Sequence, residues 1–453
     1  METRGTGLQM AFICEPLLYD RDGVGRLFAD LAGEMHKRGH RVTVIAKPSA
    51  GTESEGLPAP PLPEGCELLQ ADLDAAEGRD RVRVRLLECG CSVLVGYCAG
   101  RGFLRFPRLL EGTGIPLVSA ESLHPRILTH ERWSPYEHYA ALACCDRIQV
   151  PLEPYKACYP KALHGRIDVI GSPAPEPRAV DWQARAEKTE RTLLFVGCFH
   201  EQDKRGSLLL RAWRLLKDEF PDWSLTMVGD GQGWDLYHAM AEAMGREPRV
   251  SFPGNAADSD AYYGAADLFC MPSRQEAFPL ALGEAAAHSL PLVGFRNCEA
   301  ARELIPPGGG ALAEEETPAS LAAALRELMA ASPEARRNAG ETARDSFQAR
   351  YGGGAVYDQW ERLLLRTAKK RGHTRMDRLR RNEWNAALLN ESALELLSRP
   401  ETMAPPGQGA LSPAAALARL RSEHDALARE HRRLQKKYDA LVRQLYPTDG
   451  RRR

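Results

Sequence analysis

From Leu8 to Leu365, short apolar runs of strand length alternate with segments whose apolar residues recur at helical spacing. Few folds accommodate this. Each strand must be followed by a crossover helix, so the strands run parallel and helices cover both faces of the sheet. Leu8 to Cys14 is the first run, and Arg26 to Lys37 follows with Leu27, Phe28, Leu31 and Met35 on one face. Gly39 ends that helix before the strand Arg41 to Ala46. Further elements are expected at Glu67 to Gln70, Arg81 to Glu88, Ser92 to Tyr97, Pro116 to Ala120, Trp133 to Cys144, Arg147 to Val150 and Arg166 to Ile170. Gly171 to Pro177 is a stiff, proline-rich crossing, and a second series opens at Leu193. A chain of 453 residues is too long for a single core. The expected class is α/β with two Rossmann-like domains, at 1–170 and 191–350, joined by a hinge at 171–190.

The densest chemistry falls between Ala266 and Glu284. The run Leu268 to Met271 is stopped by Pro272 and Ser273, and a helix-compatible run opens at Pro279, so the stretch reads as strand, loop, helix. Pro279 suits a first helical position, where its missing N–H has no partner to lose. The free amides after Phe278, at Leu280 and beyond, face the loop together with the positive end of the helix, which suits a phosphate or diphosphate. Glu276 stands just before this anion site. Glu284 lies five residues past Pro279, about 7 to 8 Å along a helix, within reach of a ribose.

Set in the string ADLFCMPSRQEAFPLALGEAAAHSLPLVGF, the two glutamates resemble the donor-site signature of family 4 glycosyltransferases of the GT-B fold. The resemblance runs from Leu193 to Leu365 and, more weakly, from Met10 to Gly171. It implies that Glu276 meets the transferred sugar and Glu284 the ribose hydroxyls. It also implies a Lys on the donor diphosphate at Lys204, while Cys198 stands where the family has Arg; Arg205 is the nearest replacement cation. Val250 to Gly254, with Phe252, resembles the segment that borders the nucleotide base. Gly229, at the end of the Trp223 to Val228 strand, either lets a loop approach the ligand or simply turns the chain. Gly23-Val24-Gly25, before the first helix, reads as a partial match to the family's GG-x-G-R loop: either a phosphate or sugar contact or a plain turn. His124 follows the Pro116 strand at the edge where such sheets bind ligands; the resemblance implies a His near here on the donor sugar or acceptor, although strict alignment puts Glu121 or Ser122 at that place, so His124 is either a catalytic residue beside Glu276 and Lys204 or a structural loop His. Retention at the anomeric carbon is implied by the resemblance alone.

Composition trims the alternatives. The formal net charge is −1, so no global field argues for nucleic acid. The eleven cysteines include no C-x-x-C pair and read as reduced. D-x-D occurs at Asp72 to Asp74 and at Asp258 to Asp260 without a supporting context, so no metal and no obligatory cofactor are expected beyond a nucleoside-diphosphate sugar donor. The acceptor is expected to be a glycan or a lipid-linked molecule. With no leader and no membrane-length apolar run, a cytoplasmic place is expected, at the inner membrane face if the basic residues from Arg362 to Arg381 touch anionic lipid rather than water. Residues 351–370 are expected to cross back over the first domain, and 371–410 to form a basic helix and a Pro/Gly linker. In 411–446, Leu417, Leu420, His424, Leu427, His431, Leu434, Tyr438, Leu441 and Leu445 keep an a/d heptad, the pattern of a homo-oligomeric coiled coil. Two other functions fit the same residues: a sugar-nucleotide epimerase, and a scaffold that has lost activity, for which Cys198 is the main argument.

Overall fold

The computed structural model describes residues 7–13, 23–47, 63–97, 103, 105–128, 135–245, 249–256 and 258–374. The heptad of 411–446 therefore lies outside the described residues, as do 375–381 of the basic strip.

Two parallel sheets organise the chain. The first is built from β1 (Gln9–Ile13), β2 (Arg41–Ala46), β3 (Glu67–Gln70), β4 (Val93–Tyr97), β5 (Leu117–Ala120), β6 (Arg147–Val150) and β7 (Ile167–Val169), in the order β3-β2-β1-β4-β5-β6-β7. The second contains β8 (Arg191–Val196), β9 (Trp223–Val228), β10 (Val250–Gly254), β11 (Leu268–Met271), β12 (Leu292–Phe295) and β13 (Gly310–Ala313), in the order β10-β9-β8-β11-β12-β13. β1, β4, β5, β11 and β12 are buried at every residue, as strands covered on both faces must be. In the second half, Leu193, Phe195, Leu209, Trp213, Trp223 and Leu225 form one core; full burial of each such side chain contributes about 1.5–3 kcal/mol.

Several boundaries differ from the sequence expectation. The first helix is Gly23–Lys37, so Gly23-Val24-Gly25 forms its opening turn instead of the loop before it. It stops where expected: Gly39 has φ 92° and its amide donates to the His36 carbonyl at 2.8 Å. β13 has no counterpart in the sequence reading, because Gly308-Gly309-Gly310 resembles a turn. Here glycine is a packing requirement: a Cβ on Gly310 would sit 1.9 Å from the Leu292 carbonyl oxygen of β12.

The helix Gly353–Ala368 returns to the first half. Arg38 pairs with Asp358 at 2.6 Å and Glu361 at 2.8 Å, and His40 Nε2 lies 2.9 Å from Glu361. Beyond and along that helix the basic strip is partly engaged: Arg366 pairs with Asp168, Lys370 donates to the Asp146 carbonyl and Arg371 to that of Gly90. These contacts favour a bracing role for the described part of the strip over a free lipid-facing one. The 171–190 crossing carries a short helix, Trp182–Glu187, and docks on the second half through Arg178 N to the Ala287 carbonyl, 2.8 Å.

Candidate active site

In the second sheet the strand order reverses between β8 and β11, and open parallel sheets form their ligand crevice at such a reversal, at the carboxyl ends of the strands. Its walls are the loop after β8, from Gly197 to Arg205, and the loop after β11, from Pro272 to Pro279. Three of the four residues in the helix Glu201–Lys204 are charged; Asp203 and Lys204 clasp the opposite loop, while Glu201 holds Ser207 and Tyr237. Arg274 N donates to the Asp203 carbonyl at 2.7 Å, and Gln275 Nε2 to Asp203 Oδ1 at 2.9 Å. Between these anchors Lys204 Nζ sits 2.5 Å from Glu276 Oε1, which also accepts from Ser273 Oγ at 2.6 Å. Burial works to lower the Lys204 pKa, but the Glu276 carboxylate overcomes it and holds the ammonium above its ordinary value.

The helix that follows is Leu280–Ala287. Pro279 is its N-cap, with φ −75° and ψ 101°, one position earlier than the sequence placed it. Proline carries no capping oxygen, so no side chain at that position satisfies the first amides. One and a half turns on, Glu284 accepts from Tyr263 Oη at 2.8 Å. Burial and the nearby carboxylate push the Tyr263 phenol well above its ordinary pKa, keeping it a neutral donor. Phe278, Leu280 and Glu284 line a cavity of about 230 Å³, faced from the first half by Arg26 and Asp30 and from the return helix by Tyr357. Glu276 does not line that cavity. A larger cavity, about 500 Å³ between Trp182, Arg185 and Arg336, includes Asp267 at the amino end of β11. It lies at the opposite end of the strands from Glu276, away from the edge where open parallel sheets bind ligands.

The other sequence candidates sit at different places. Arg205 is not brought to the Lys204–Glu276 pair: its left-handed backbone (φ 50°, ψ 45°) parts it from Lys204, and its guanidinium binds Glu316 at 2.8 Å over the Phe295 ring. Cys198 is exposed and reduced. Gly229 has φ 141°, and a Cβ there would fall 1.9 Å from the Gly197 carbonyl oxygen, so its immediate reason is the close approach of two loops. Phe252 packs within an aromatic cluster, 4.2 Å from the His238 ring and 6.3 Å from Trp234. Gly25 is buried at the start of its helix.

His124 is 1% exposed and caps the three-residue helix Pro125–Ile127, its Nδ1 accepting from Arg126 N at 3.2 Å. Its Nε2 points to Glu299 of the second half, 3.5 Å away. Burial works to raise the Glu299 pKa, but the His124 contact and nearby Arg126 win, and the carboxyl falls to about 2. The imidazole is thus a contact between the two halves. Neither D-x-D pair forms a metal cluster among the described residues. Asp72 and Asp74 hold Lys47, and Asp260 holds Arg178 and His288. Ser273, Asp203, Gln275 and Glu299 were missed by sequence reasoning; only the acid density of Glu201-Gln202-Asp203 beside Lys204 could have pointed to any of them.

Residues 178–346, which span this crevice, match the family of glycosyl transferases group 1. The chain is a glycosyltransferase. An uncharacterized glycosyltransferase of Haemophilus influenzae is 27% identical to this transferase over 265 residues, 55% of this chain and 73% of that protein. D-inositol 3-phosphate glycosyltransferase of Corynebacterium glutamicum is 30% identical over 147 residues, 31% of this chain and 35% of its own length. Among solved structures, sucrose-phosphate synthase of Thermosynechococcus elongatus superposes with a TM-score of 0.65 at 16% identity, covering 79% of this chain and 98% of that one. Anabaena HepE in complex with UDP-glucose gives 0.62 at 17%, covering 79% and 99%. S. aureus TarM, solved with UDP and glycan ligands, gives 0.63 at 10%, covering 79% and 99%. The transferase therefore has the GT-B fold. No helix among its described residues is long and apolar enough to cross a membrane.

Proposed function

We propose that this transferase is a family 4 enzyme that moves a sugar from a nucleoside-diphosphate donor to a glycan or lipid-linked acceptor, with retention, in the synthesis of a bacterial surface polysaccharide or glycoconjugate. The Lys204–Glu276 pair carries the reading, set at the strand-order reversal beside an uncapped helix N-terminus. Glycosyl transfer builds positive charge on the sugar ring and negative charge on the departing diphosphate. It therefore needs a carboxylate near the ring and a cation with backbone amides near the phosphates. Glu276 fills the first role. Lys204 and the N–H groups of Phe278 and of the helix that opens at Leu280 fill the second; Lys204 must leave Glu276 as the diphosphate arrives.

Glu284, oriented by Tyr263, is placed for the ribose, and Phe252 for the base. The first turn at Gly23-Val24-Gly25 and the loop at Gly229 approach the donor from its two ends. His124 acts by holding the halves together, and Arg205 by bracing the loop that carries Lys204. Closure of the halves would exclude water and limit hydrolysis of the donor. Assembly into a homo-oligomer through 411–446, and contact of the basic residues with the inner membrane face, belong to the same proposal.

The test is calorimetric titration with a panel of uridine and guanosine diphosphate sugars, followed by product analysis with cell-envelope extract. Transfer that disappears in Glu276→Ala while donor binding persists supports the reading. Binding of donor with inversion of its sugar stereochemistry and no transfer would favour an epimerase. No binding at all would favour a scaffold, as the exposed Cys198 in place of a cation would suggest.

A further inference from the structure

The loop from Pro272 to Pro279 is held from three directions. Two holds come from its own half: the Asp203 carbonyl and carboxylate fix Arg274 and Gln275 on one side, and Lys204 and Ser273 fix the Glu276 carboxylate. The third comes from the other half. The hydroxyl of Tyr155 donates to the backbone carbonyl of Glu276. Tyr155 lies on the helix Glu153–Lys156, which follows β6 of the first sheet, so this bond spans the interdomain cleft.

Tyr155 is well placed for such a task. Its side chain is fully buried, and its ring meets that of His124 edge-on at 5.0 Å, so its aim is set by packing. His124 in turn faces Glu299 of the second half. Burial pushes the phenol far above its ordinary pKa, so it stays a neutral donor at any working pH. The carbonyl it holds belongs to the residue whose carboxylate meets Lys204. Rotating the Glu276 peptide away from Tyr155 would swing that carboxylate and shift the amides that follow.

We infer that Tyr155 is a positioning residue that couples approach of the two halves to the placement of the Glu276 carboxylate. The inference rests on the reading of Glu276 as the sugar-side carboxylate. In this account most donor contacts come from the second half, but Glu276 is fully aligned only when the first half supplies the phenol. Alignment would then follow closure, and an open enzyme would hold its donor without reacting.

Tyr155→Phe keeps the ring against His124 and removes only the donor, and two readouts test it. In the unliganded protein, amide hydrogen exchange at residues 274–280 should quicken about 3- to 10-fold, the size of one neutral hydrogen bond, while exchange in β6 stays unchanged and certifies the fold. In turnover, kcat should fall by about the same factor while KM for the donor holds, since the Tyr155 hydroxyl binds the Glu276 carbonyl and is not itself one of the proposed donor contacts. Unchanged exchange at 274–280 would overturn the clamp. Faster exchange with an unchanged kcat, or a rise in KM at constant kcat, would overturn the positioning role. The exchange experiment needs no substrate. A wild-type protein that transfers no sugar would therefore count against the proposed function, without being confused with failure of the clamp.

Discussion

Glu121 and Glu276 are built alike and end differently. Each lies just past the carboxyl end of a parallel strand, β5 or β11. Each accepts from a serine hydroxyl, Ser119 at 2.5 Å or Ser273 at 2.6 Å, and each has one basic partner, His138 at 2.7 Å or Lys204 at 2.5 Å. Glu121 also accepts from Tyr159 Oη at 3.2 Å. Glu121 and His138 are both 0% exposed, whereas Lys204 keeps 27% and Glu276 10%. The same hydrogen-bond chemistry is sealed from solvent at Glu121 and His138 and remains partly open to it at Glu276 and Lys204. Geometry of the pair alone does not separate the two; the way out to solvent does.

The largest expected effect tests the sealed member. Glu121→Ala leaves His138 buried without its carboxylate, and breaking a buried pair by removing one partner costs about 3–5 kcal/mol. Chemical denaturation should show that loss, with turnover per folded molecule retained. Glu276→Ala should do the reverse. Loss of a group that meets charge only in the transition state costs about 10² to 10³ in kcat, while the melting temperature barely moves, as steady-state kinetics beside calorimetry would show. A variant of either residue that moved both quantities equally would erase the contrast.

Glu299 is more open than either carboxylate, 19% exposed, and pairs with His124 of the first half. Its folded pKa of about 2 lies below the 4.5 of an unperturbed carboxyl. A depressed carboxyl pKa adds stability above pH 4.5 that is lost as pH falls towards 2. Wild type should therefore exceed Glu299→Gln by about 1–3 kcal/mol at neutral pH, and the two should converge in denaturation curves taken at pH 2 to 3. The smallest effect belongs to Glu284→Ala. Donor affinity should weaken about tenfold, or about 1.4 kcal/mol, by titration calorimetry, with kcat at saturation little changed.

Much of the architecture could be read from the sequence because the apolar runs are uninterrupted where strands are buried on both faces, as in β1, β4 and β11. β13 escaped because three glycines mark a turn in sequence, whereas the last of them, Gly310, serves close strand approach in space. Glu276, Glu284 and Lys204 were singled out as candidates because one contiguous motif, or a short loop, carries each. Tyr155 and Glu299 were not, since their importance depends on which residues the other half brings opposite them. His124 and Arg205 were candidates on neighbouring loops; burial sets His124 against Glu299, and a left-handed turn sets Arg205 against Glu316.

A crystal structure with a bound nucleoside-diphosphate sugar tests the central claim most directly. The account predicts the diphosphate on the amides that open the Leu280–Ala287 helix, with Lys204 Nζ moved from Glu276 onto a phosphate oxygen and the freed Glu276 carboxylate beside the sugar. A diphosphate bound elsewhere, or a Lys204–Glu276 pair left intact with donor in place, would contradict it.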